Sequence, residues 1–136
     1  MKKTYMLDTD ACSYIIRGND ARLAAFVAAR ANDDICISSI TASELLFGIR
    51  KKNSQPLTDK VTAFLGIVRI VDFDIGAAEH YSEIRLALES GGNPIGNMDV
   101  LIAACARSIG ATLITNNVRH FSKVPGLMLE NWCEDS

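Results

Sequence analysis

Five short apolar runs alternate with helix-forming stretches, and no turn signal joins any two of them into a hairpin. Residues 3–7, 35–37, 70–71, 111–115 and 127–129 read as strands, the last at a sheet edge. Strands joined by tight turns run antiparallel, whereas strands separated by a helix's length of chain run parallel. The pattern therefore predicts an α/β fold, with helices on both faces of a central parallel sheet.

The intervening segments support this. Residues 9–17 form a short helix stopped by Gly18, and Asn19 or Asp20 caps a helix through residue 29 with Leu23, Phe26 and Val27 on its apolar face. Ser39 or Thr41 starts a helix that carries Leu45, Leu46 and Ile49 and ends near Lys51 and Lys52. A further helix follows Pro56, with Val61, Phe64, Leu65 and Val68 on one face. Over residues 75–88, Ala78, Tyr81, Ile84, Arg85 and Leu88 recur near the helical period. Residues 98–109 are an almost wholly apolar helix, opened by Asp99 and closed by Gly110. Residues 116–121 make a short helix or turn.

With 136 residues, 49% of them hydrophobic, the chain is expected to be one domain, residues 1–136, around a sizeable core. Its formal charge of −2 excludes a protein that grips nucleic acid by bulk charge. No apolar run reaches the roughly 18 residues of a membrane helix. The apolar start breaks at Asp8, too early for a secretory signal, so a cytoplasmic location is expected. Cys12, Cys36, Cys105 and Cys133 contain no CxxC pair and are expected to be buried, reduced thiols.

Three acids stand out. Asp8 ends an apolar strand, Glu44 lies three residues after Thr41, and Asp99 opens the most apolar helix. Each has an ordinary structural reading. Asp8 can cap the following helix, Glu44 can complete a capping box with Thr41, and Asp99 can complement a helix dipole. In parallel sheets, however, ligands bind beyond the carboxyl ends of the strands, and Asp8 and Thr115 both lie at such ends. Crowded carboxylates repel, and a hard divalent cation relieves the repulsion. Acids without a His or Cys cluster suit Mg²⁺- or Mn²⁺-assisted phosphodiester hydrolysis better than zinc chemistry.

The stretches Met6-Leu7-Asp8-Thr9-Asp10, Ser39-Ile40-Thr41-Ala42-Ser43-Glu44-Leu45-Leu46-Phe47-Gly48, Pro94-Ile95-Gly96-Asn97-Met98-Asp99-Val100-Leu101-Ile102-Ala103-Ala104 and Thr115-Asn116-Asn117-Val118-Arg119-His120-Phe121 resemble a PIN domain. The tail from Val124-Pro125-Gly126-Leu127 to Asn131-Trp132 is also similar to the VapC ribonuclease toxins of bacterial VapBC modules. The resemblance runs in order along the whole chain.

It implies a three-layer α/β/α, PIN-like fold and a Mg²⁺- or Mn²⁺-dependent endoribonuclease. Asp8 and Asp99 would hold the metal, and Glu44 would complete the cluster directly or through a water. The implied substrate is structured RNA, often a tRNA anticodon stem-loop, with initiator tRNA favoured. The implied partners are a VapB-type antitoxin and a second copy of the chain. The family commonly carries a fourth acid after the last inner strand. Here Thr115 and Asn116 match the pattern, while Asn117 and His120 occupy the places where that acid would stand. His120 could ligate a metal, carry a proton, bind phosphate, or simply pack beside Phe121. A ligand role for Asp10 is a further option. Candidate RNA contacts are Arg50, Lys51 and Lys52, then Arg17, Arg85, Arg119 and Lys123, each of which could equally be a solvated surface charge.

Two other readings compete. Leu7-Asp8-Thr9-Asp10 and Leu113-Ile114-Thr115 also match the first two motifs of haloacid-dehalogenase-like phosphatases. That family needs a later Lys and an acidic pair. Lys123 and Glu134-Asp135 follow, but with too little chain to present the acids, and Glu44 and Asp99 are left unexplained. The other is a non-catalytic PIN-like RNA-binding domain, against which the intact trio of acids argues.

Overall fold

A computed structural model of the chain describes residues 2–133. Glu134 and Asp135 lie outside them. The order of elements is β1 (Thr4–Leu7), α1 (Thr9–Arg17), α2 (Ala21–Ala29), β2 (Asp34–Ser38), α3 (Ser39–Lys52), α4 (Gln55–Ile67), β3 (Arg69–Val71), α5 (Ile75–Ser90), α6 (Asn97–Ser108), β4 (Thr112–Ile114), α7 (Val118–Phe121) and β5 (Met128–Glu130). All strand pairings are parallel, in the order β3-β2-β1-β4-β5. The parallel α/β expectation is met, and β5 lies at one edge of the sheet, with β3 at the other.

β1 is central, pairing with β2 through Tyr5–Ile35 and with β4 through Leu7–Ile114. Its side chains alternate between two cores. Met6 joins Cys36, Leu113, Ile84 and Leu88 beneath α5 and α6, while Tyr5 and Leu7 join Ile37, Ile114 and Leu23 beneath α1 to α4. Both faces of the sheet are thus buried, which is why its strands read as continuous apolar runs rather than as alternating ones. All four cysteines are buried free thiols, as expected.

The second core is closed by the end of the chain. Trp132, 1% exposed, packs on Tyr5 with centroids 4.9 Å apart and on Phe26 at 5.8 Å. The Arg30 guanidinium carbon lies 4.5 Å from the Trp132 ring centre and 4.9 Å from that of Phe26.

Helix ends follow their local chemistry. Asp20 and Ser54 cap α2 and α4, and Gly18 ends α1 at φ 68°, a left-handed conformation that costs glycine little. Three details sharpen the sequence reading, and the last of them corrects it. Arg85 is on the exposed side of α5, where it pairs with Glu89 at 2.7 Å and bonds the Tyr81 hydroxyl. Leu46 is 42% exposed while its neighbour Leu45 is buried. Lastly, α3 is capped by Ser38, whose hydroxyl accepts from Thr41 N. Thr41 therefore sits inside the first turn and is not the cap, so Glu44 does not complete a capping box with it.

Candidate active site

The carboxyl-end rim of the sheet is assembled from the residues that follow each strand. Asp8 comes directly after β1, and its backbone N–H extends the ladder by donating to Ile114 O at 3.0 Å. Its side chain caps α1 by accepting from Ala11 N at 2.8 Å. Asp8 is 5% exposed, and burial pushes its carboxyl up from 3.8 to about 6. The hydrogen bonds from Thr115 and Ala11 pull the other way, and the negative charges of Asp10 and Asp99 push it further up. Asp8 is thus both a cap and a destabilised carboxylate.

Thr115, directly after β4, is fully buried beside Asp8. Its hydroxyl oxygen accepts from Asn117 N at 2.9 Å, which turns the chain into α7. Asn116 donates from Nδ2 to the Tyr14 hydroxyl at 3.0 Å and ties this turn to α1. Asp99 stands in the first turn of α6, where it also faces the positive end of the helix dipole. Its Oδ2 lies 2.9 Å from His120 Nε2, and the His120 ring meets Phe121 edge-on. His120 therefore packs beside Phe121 and contacts a candidate acid at once.

Glu44 lies on a further wall, on α3. Its Oε1 accepts from the Thr9 hydroxyl at 2.5 Å, and the Thr41 hydroxyl lies 3.2 Å from Thr9 Oγ1. Thr9 has one proton to give, so with Glu44 taking it, Thr41 is the donor to Thr9. Neither threonine was a candidate on sequence grounds, and contacts spanning more than thirty residues leave no local signal. Beside this wall a cleft of about 110 Å³ runs between α1, α3 and α4, over Leu45, Ile49, Leu57 and Val61, with Arg17 and Lys52 at its edge.

Asp10 and Asp99 are thus each within electrostatic reach of Asp8, while Glu44 is bonded by Thr9, the residue next to Asp8. Among the described residues, no three His, Cys, Asp or Glu side chains converge closely enough to cage a metal ion. The donor set still suits a hard divalent cation. It consists of carboxylates, and a cation would offset both the burial that chiefly raises Asp8 and the smaller repulsion from Asp10 and Asp99. Arg50, Lys51 and Lys52 are exposed in the last turn of α3, where they complement the helix dipole, and Lys52 also lines the cleft. Arg17, Arg119 and Lys123 are exposed.

A family model described as PIN domain matches residues 5–127. A curated relative, Ribonuclease VapC2 of Rickettsia felis, is 41% identical over 130 residues, covering 94% of this chain and 97% of the relative. The tRNA(fMet)-specific endonuclease VapC of Salmonella typhimurium is 35% identical over 130 residues, covering 95% and 98%. Among solved structures, VapBC2 from Rickettsia felis bound to a DNA fragment from its promoter matches with a TM-score of 0.89 and 40% identity over 95% of this chain and 98% of that one. DNA-bound VapBC from Salmonella typhimurium matches with a TM-score of 0.85 and 34% identity over 98% and 100%.

Proposed function

The chain belongs to the PIN-domain family, among the VapC ribonucleases, and from this we propose that it is a Mg²⁺- or Mn²⁺-dependent endoribonuclease that cuts structured RNA. A tRNA is the expected substrate, with initiator tRNA favoured because relatives 35% and 37% identical are named tRNA(fMet)-specific endonucleases. One observation carries the reading. The buried Asp8 carboxylate is raised toward neutrality by its surroundings, with Asp99 adding its charge across the strand-end rim.

In this reading Asp8 and Asp99 hold the cation, and Glu44 stands ready to take a proton from the attacking water. The bound cation would neutralise charge on the phosphodiester as it is attacked. Thr115 and the α1 N-terminus hold Asp8 in place. Thr9 fixes Glu44, so its free oxygen has a defined direction. Arg17 and Lys52, at the edge of the cleft beside Glu44, provide positive charge for flanking phosphates. With net charge −2, RNA affinity has to come from such local groups.

A VapB-type antitoxin is the proposed partner, because the matching structures from Rickettsia felis and Salmonella typhimurium are VapBC assemblies. Self-association is proposed as well. Phe47, Ile67, Ile75 and Leu86 are each more than 60% exposed, apolar surface that a second copy could cover.

The test is cleavage of total bacterial tRNA by the purified protein with Mg²⁺, with EDTA, and with Asp99→Asn. A discrete cut that leaves a 5′-phosphate, and is lost with EDTA and in the variant, is expected. A 2′,3′-cyclic product that persists in EDTA would refute the mechanism.

A further inference from the structure

His120 touches Asp99 from a segment that is itself tied to Asp8. Thr115 bonds the Asp8 carboxylate and accepts from Asn117 N, and Asn117 O in turn accepts from the backbone N–H groups of His120 and Phe121. Phe121, 2% exposed, locks this short turn into the core, and the His120 ring stands edge-on to it with centroids 5.3 Å apart. The imidazole is therefore anchored before it meets Asp99, and its Nε2 lies 2.9 Å from Asp99 Oδ2. Asp99 itself is less constrained. Its side chain is 39% exposed, and among the described residues His120 is its hydrogen-bond partner.

A carboxylate on an exposed helix turn samples several rotamers, and a cation that binds it must freeze one of them. A prior hydrogen bond to one oxygen does part of that work and leaves the other oxygen available. We propose that His120 is a positioning residue, donating from Nε2 to Asp99 Oδ2 so that the remaining Asp99 oxygen is presented to a divalent cation shared with Asp8. The inference rests on the nuclease reading above. With Nε2 donating its proton to Asp99, that nitrogen has no lone pair to offer a cation, so its contribution is orientation rather than ligation. Both the neutral Nε2–H tautomer and the imidazolium offer this donor.

The test is Mn²⁺ titration followed by electron paramagnetic resonance, with no RNA present, on the wild type, His120→Phe, His120→Gln and Asp99→Asn. Far-ultraviolet circular dichroism checks that each variant is folded. His120→Phe keeps a ring against Phe121 and removes the donor, so Mn²⁺ affinity is expected to fall about tenfold. His120→Gln returns an N–H near the same place and is expected to recover most of the loss. Unchanged affinity in folded His120→Phe, with binding still lost in Asp99→Asn, would overturn this proposal and leave the nuclease reading standing. A directly coordinated nitrogen in the pulsed spectrum of the wild type would also overturn it, making His120 a ligand. A wild type that binds no Mn²⁺ and cuts no RNA would overturn both.

Discussion

The Thr9 hydroxyl holds Glu44 Oε1 at 2.5 Å, joining the first turn of α1 to the second turn of α3. Thr41 backs the pair from a fully buried position. Replacing Thr9 by Val keeps the side chain's shape and removes the donor. RNA cleavage is expected to drop about tenfold, mainly in kcat, with a stability loss of about 1 kcal/mol. Thr9→Ser should retain most activity. Single-turnover cleavage of the mapped RNA checks both, and a Val variant as fast as wild type would remove Thr9 from the site.

Asp8 makes the stability of the protein sensitive to pH. Its carboxyl is near 6 in the fold against an ordinary 3.8, so between these values the native state binds the extra proton. Stability therefore falls as pH rises from about 4 to about 6, and the penalty is complete above that range. Asp8→Asn can still cap α1 but carries no charge. It is expected to be more stable than wild type by on the order of 2–3 kcal/mol at about pH 7, and nearly equal to it below about pH 4. Denaturant unfolding in EDTA at the two pH values checks this. A stability difference that does not change with pH would contradict the buried, raised carboxyl.

Trp132 should matter far more to stability than its place near the chain end suggests. It fills the space between Tyr5 and Phe26 under the Arg30 guanidinium. Trp132→Ala is expected to cost about 3–5 kcal/mol, and Arg30→Ala about 1 kcal/mol. Urea unfolding followed by far-ultraviolet circular dichroism measures both. A Trp132 cost under about 1 kcal/mol would mean that the tail is not part of the core.

Gly18 isolates a backbone effect. No atom lies within 4 Å of where a Cβ would stand, yet its φ is 68°. Gly18→Ala is expected to cost about 1–2 kcal/mol from conformation alone, and Gly18→Asn less. Equal costs for Ala and Asn would point to a contact rather than to the backbone.

The layered fold was legible in the chain because its signals are local. Gly18, Asp20 and Ser54 act within their own helix ends, and the absence of hairpin turns dictated parallel strands. The acids were legible as residues but not as an arrangement. Ser39 and Thr41 were both open as the start of α3; the helix begins at Ser39 with Ser38 as its cap, a choice that depended on how far β2 pairs with β3, which is long-range. The same holds for the Thr9–Glu44 and Asp99–His120 contacts, whose partners are 35 and 21 residues apart. Arg85 recurs at the helical period because its long stem fits it, while its charge pairs with Glu89 on the outside, as expected of a surface charge.

The central place of β1 has a consequence for the time at which activity can arise during synthesis. β4, which walls in Asp8, and Thr115, which bonds it, are synthesised more than a hundred residues after it. A nascent or truncated chain that stops short of β4 carries Asp8 and Glu44 with no rim to hold them. Products terminated before β4 are therefore expected to be inert, and cutting of RNA to begin only after β4 has been made.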